Sequence, residues 1–120
     1  MKKLLLALML LSPLSFAEWG DVYYCQMTSF VGTDADGTVT QHKLEKFQFR
    51  LDEAKKSMVF GKSGFFKNSE ILLALGSSFP RQESWRASDF FDTLRFKDGK
   101  FFYASAVLTL TSITADCDKF

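Results

Sequence analysis

The chain has 120 residues, 47% of them apolar, with 15 Lys and Arg against 14 Asp and Glu. That length suits a single domain, and a formal charge of +1 leaves no basic field of the kind that binds nucleic acid or anionic lipid. Two cysteines and one histidine give no Cys-rich or His-rich spacing that would hold zinc.

The chain starts with Met1-Lys2-Lys3, continues through an unbroken apolar run from Leu4 to Leu11, and places small residues at Ser15 and Ala17. This is the pattern of a secretory signal peptide over residues 1–17. Ser12 and Pro13 cut the apolar run short of the roughly 20 residues a membrane-spanning helix needs. The expected mature protein is one exported domain over 18–120, more fitted to a periplasmic than a fully secreted location. It has 13 basic against 14 acidic residues once Lys2 and Lys3 are removed, and no stable membrane insertion is expected. Lipidation would need a cysteine directly after Ala17, and the first one is Cys25.

The rest of the chain reads as β. Asp21 to Val31 is rich in Val, Tyr, Phe and Thr, and Gly32 to Gly37 is a cluster of turn formers ending in an Asp-Gly step that closes hairpins. One long strand is expected from Thr38 to Leu51. Within it Lys46, Gln48 and Arg50 share one face while Phe47, Phe49 and Leu51 share the other, which favours a half-buried strand over a single-strand nucleic-acid binder. Asp52 to Lys56 is a charged turn, Ser57 to Gly61 a short strand, and Gly61 to Gly64 a second turn. Asn68 to Leu75 fits a buried strand or a two-turn helix capped at Asn68 or Ser69, with strand the favoured of the two. A loop over 76–82 precedes a strand from Glu83 to Ala87. Leu94 to Lys97 and Lys100 to Tyr103 form a hairpin around Asp98-Gly99.

Phe101 to Cys117 contains 17 residues without Gly, Pro or Asn. Fully extended, they would reach roughly 55 Å, against a radius of gyration of about 13 Å for a 100-residue domain. The apolar phase also slips between Leu108, Leu110 and Ile113, Ala115, Cys117. A turn or bulge between Thr109 and Ser112 accounts for both, which puts Cys117 on the final strand. In an oxidising compartment Cys25 and Cys117 are expected to form a disulfide. That bond ties first strand to last, as suits a small closed barrel or a sandwich. The fold class is therefore all-β, an antiparallel barrel or sandwich of about seven or eight strands in meander-like order, with one short helix as the alternative at 68–75.

Little in the sequence points to catalysis. His42 sits beside Lys43 with no acidic or nucleophilic partner nearby in sequence. Neither a Gly-x-Ser-x-Gly element nor a phosphate-binding glycine loop is present. Asp34-Ala35-Asp36-Gly37 superficially has the look of a calcium loop, but that register puts Gly32 first and Lys43 last, where a bidentate Glu is required. The expectation is a non-enzyme without cofactor or metal.

The distinctive feature is aromatic content: 14 Phe, 3 Tyr and 2 Trp, only Phe16 falling in the signal. Tyr23-Tyr24, Phe65-Phe66, Phe90-Phe91 and Phe101-Phe102 are adjacent doublets. Neighbours in a strand point to opposite faces, so a doublet within a strand sends one ring away from the main core. Such rings either rest singly on the surface or gather into a binding patch. The candidate patch is Trp85, Arg86, Phe90 and Phe91, with Phe65 and Phe66, because Trp and Arg are enriched where binding energy concentrates. Its expected occupant is an envelope or extracellular protein; the alternative is a lipocalin-like carrier of a small apolar ligand.

An exported domain of this size, with Tyr23-Tyr24-Cys25 near its start and Cys117 near its end, resembles the periplasmic inhibitors of C-type lysozyme. The resemblance implies an inhibitor-like, protein-binding role. No site residue transfers, because Ser63-Gly64-Phe65-Phe66 is followed by Lys67 where that family's Ser-Gly-x-x-Tyr element differs, and Thr-Lys-Gly is absent. Phe120 is a terminal aromatic of the kind found in outer-membrane barrels, but Asp116 and Asp118 would then face lipid.

Overall fold

The computed structural model describes residues 17–74, 84–88 and 91–120. All of their regular structure is antiparallel β. In chain order the strands are β1 Val22–Thr33, β2 Val39–Gln41, β3 Lys46–Asp52, β4 Ser57–Phe60, β5 Glu70–Leu72, β6 Trp85–Ser88, β7 Asp92–Lys97, β8 Lys100–Ala106 and β9 Leu110–Lys119. They form one sheet in the order β5-β4-β3-β1-β9-β8-β7-β6, with β2 paired to the far half of β1. Two meanders, β1-β3-β4-β5 and β6-β7-β8-β9, are joined side by side through β1 and β9. The sheet curls into a nearly closed barrel. Its two ends meet through a single bridge, in which the Ala74 N–H donates to the Arg86 carbonyl at 2.7 Å.

Period-two patterning sets the inside and outside of the wall. In β3, Phe47, Phe49 and Leu51 are buried and Lys46, Gln48 and Arg50 exposed; in β6, Trp85 and Ala87 are buried and Arg86 and Ser88 exposed. The interior is filled by rings at ordinary aromatic contact distances. Phe47 meets Phe101 at 5.0 Å, Phe49 meets Phe96 at 5.1 Å, Tyr23 meets Phe96 at 4.8 Å and Phe60 stacks on Phe66 at 4.6 Å between centroids. One end is covered by Trp19, edge-on to Trp85 at 4.8 Å. Toward the other, Phe66 from the 61–69 turn packs on Phe101 and Tyr103.

The Cys25–Cys117 disulfide is present, joining residues directly opposite on β1 and β9 with Cα atoms 4.0 Å apart. The β7–β8 hairpin closes at Asp98-Gly99, both with positive φ, 52° and 74°, the signature of a type I′ turn.

Two local expectations change. The strand expected from Thr38 to Leu51 is two strands, β2 and β3, interrupted at 42–45. The cause lies across the sheet: β1 carries a bulge between Met27 and Ser29 in its pairing with β9. The intervening segment straddles it, with His42 N–H donating to Phe30 O at 2.8 Å and Met27 N–H to Glu45 O at 2.9 Å. The break near the C-terminus is a turn at 107–109, so Leu108 lies in the turn. The favoured strand reading of 68–75 holds among its described residues, where the strand is β5, only three residues long. The loop expected over 76–82, and the signal through residue 16, lie outside the described residues.

Candidate binding surface

Of the six residues singled out from sequence, the five that are described do not form one patch. Trp85 is 1% exposed and Phe66 3%, both inside the barrel. Inward phase on β6 and the turn ending at Asn68 put them there, so neither is available to a partner as a surface group. Trp85 packs on Trp19 at one end, and its indole N–H has no acceptor among the described residues. Phe65 is partly exposed beside Phe30 and Tyr103. Arg86 and Phe91 are exposed on β6 and just before β7. Phe90 lies outside the described residues.

The doublets divide as strand geometry requires. Tyr23 and Phe101 are buried, while Tyr24 is 47% and Phe102 49% exposed on the outer wall. Phe120, 87% exposed, sits edge-on to Tyr24 at 5.3 Å. Tyr24 and Phe102 were readable as outward rings from the doublets once their strands were known; residue-type enrichment pointed to Trp85 instead, because composition carries no information about face.

Two shallow grooves mark the outer wall. The first, about 370 Å³, runs over β3, β1 and β9. Tyr24 and Gln26 form its floor, Lys46 and Lys62 one bank, and Asp116 and Asp118 the other. The backbone beneath includes the two cysteines, which fixes β1 against β9 directly under the groove. Asp116 pairs with Lys100 at 2.6 Å, an exposed contact of small energetic weight. The second groove, about 250 Å³, crosses β7, β8 and β9 and is lined by Arg95, Phe102, Ala104 and Thr114. The Thr114 hydroxyl lies 2.6 Å from that of Thr28 and 2.8 Å from that of Ser29, at the β1 bulge. A third recess of about 350 Å³ follows the seam between β5 and β6.

Titration shifts arise from structural contacts. Burial, reinforced by nearby Asp21, pushes the Tyr23 phenol up to about 12. The Asp52 carboxyl is held below its ordinary value by the Lys55 N–H and then by Arg50, and Asp36 by its bonds to Thr38. Lys55 is raised by Glu70 at 2.7 Å. Tyr23 belongs to the aromatic core, and Asp36, Asp52 and Lys55 hold turns. Among the described residues no group of three His, Cys, Asp or Glu side chains could hold a metal ion, and no helix is long and apolar enough to cross a membrane.

No protein-family model, no curated protein and no solved structure matches the chain.

Proposed function

We propose that this protein is an exported, non-enzymatic binding module that engages another protein through the outer wall of its barrel. The observation that carries this reading is the division of the rings. The inward set fills the barrel by ring-to-ring contact, which leaves a lipocalin-like carrier little room for cargo. Of the outward set, Tyr24 lines a groove banked by Lys46 and Lys62 on one side and Asp116 and Asp118 on the other, with Phe120 packed against it, and Phe102 lines a second groove beside Arg95. Aromatic side chains flanked by polar groups are the usual anchors of protein interfaces. The disulfide is consistent with export, and a periplasmic location suits the signal-like start.

Native mass spectrometry of the protein purified from its own host tests the reading. The expected result is a stoichiometric protein partner that is lost in the Tyr24→Ala, Phe102→Ala double variant. Both rings lie on the outer face, so the variant keeps its fold. A co-purifying small apolar molecule in place of a protein would support the carrier instead.

A further inference from the structure

Arg86 on β6 and Arg95 on β7 are directly opposite one another across the strand pair, and both are exposed. In such a pair the Cβ atoms are about 4.5–5.5 Å apart, and like charges so placed are destabilising. Among the described residues neither guanidinium makes an ion pair; the four salt bridges there use Arg50, Lys55, Lys100 and Lys119. Continuing across the wall, Arg95 is opposite Phe102 on β8 and Phe102 opposite Thr114 on β9. One transverse row therefore reads Arg, Arg, Phe, Thr, and the second groove runs along its last three members.

Local rules are broken in proteins mainly where function requires it. An arginine pair with no ion-pair partner among the described residues, beside an exposed ring, is completed by a ligand that brings negative charge and an apolar group together. We propose that this row binds a short acidic segment of a partner protein, with one or two carboxylates held by the Arg86 and Arg95 forks and an adjacent apolar side chain laid on Phe102. This rests on the binding-module reading and gives it a partner chemistry. Charge distribution favours a short segment over an extended polyanion. The positive region, Arg86 and Arg95 with Lys97 and Lys100 opposite one another in the next row, spans three strands, and it stops at β9, where Asp116 pairs with Lys100 and Asp118 follows on the same wall; these carboxylates would repel a bilayer or a sulfated chain lying across it.

The probe is a fluorescein-labelled hexapeptide alternating glutamate and phenylalanine, followed by anisotropy. The expected result is saturable binding that weakens with salt, falls at least about tenfold in Arg86→Ala, Arg95→Ala, and is unchanged in Lys43→Ala, Lys67→Ala, two exposed lysines that line none of the grooves. Arg86→Glu separates binding from folding: it sets opposite charges across the strands, so its melting temperature should rise while peptide binding is lost. Equal binding of the glutamine-for-glutamate peptide, unchanged affinity in the double alanine variant, or tighter binding of heparin or of phosphatidylglycerol vesicles would overturn the proposal. Should a co-purifying partner be lost in Tyr24→Ala, Phe102→Ala yet retained in Arg86→Ala, Arg95→Ala, the binding-module reading stands and this inference falls.

Discussion

Tyr23 shows what a single side chain contributes here. Its ring stacks on Phe49 at 5.4 Å and meets Phe96 edge-on, and its phenol is raised to about 12. A folded-state value above the unfolded one means the native protein holds its proton where the unfolded chain has lost it. The contribution to stability is thus complete below about pH 10 and is lost as pH rises from about 10 to about 12. Denaturant unfolding at a series of alkaline pH values, compared with Tyr23→Phe, should show the wild type losing stability relative to the variant across that window. An identical pH profile for the two would mean that Tyr23 is ordinarily solvated.

At the level of strands and turns, the features readable in the sequence are those fixed by neighbouring residues. Alternation in Lys46 to Leu51 identified both the strand and its buried face, and Asp98-Gly99 identified a turn whose two positive φ angles suit that pair. Gly99 also has a long-range role: its carbonyl accepts the Cys117 N–H at 2.8 Å, and a Cβ there would lie 3.0 Å from the Cys117 carbonyl oxygen. Gly99→Ala should therefore cost about 1–3 kcal/mol, measurable as a lowered denaturation midpoint. What sequence did not disclose came from pairing between distant segments. The split of β2 from β3 follows from the bulge between Met27 and Ser29, and that bulge exists only in the register of β1 on β9. The candidate patch is divided for a related reason: Trp85 and Arg86 are adjacent in the chain but on opposite sides of the wall.

For the whole molecule, barrel and sandwich share the same alternation along each strand, and the decision between them rests on how the sheet meets itself. Here the β1–β9 junction runs almost the length of both strands and carries the disulfide, whereas β5 and β6 share one bridge. Closing a loop of 92 residues corresponds to about 4.5 kcal/mol in the chain-entropy model, against about 5–15 kcal/mol for a whole domain. Reduction, or Cys25→Ser with Cys117→Ser, should lower the unfolding free energy by up to that amount; equal midpoints with and without reductant would contradict it. The junction also orders events during synthesis. Each meander consists of local hairpins that can pair as soon as they are made, but β1 must wait for β9, which includes ten of the last eleven residues of the chain. Such non-local pairing is the slow part of β folding, and until it occurs the edges of β1 and β8 are both open to other chains. The cysteines sit opposite one another on β1 and β9, so thiol oxidation records the joining of the two meanders and cannot precede delivery of β9.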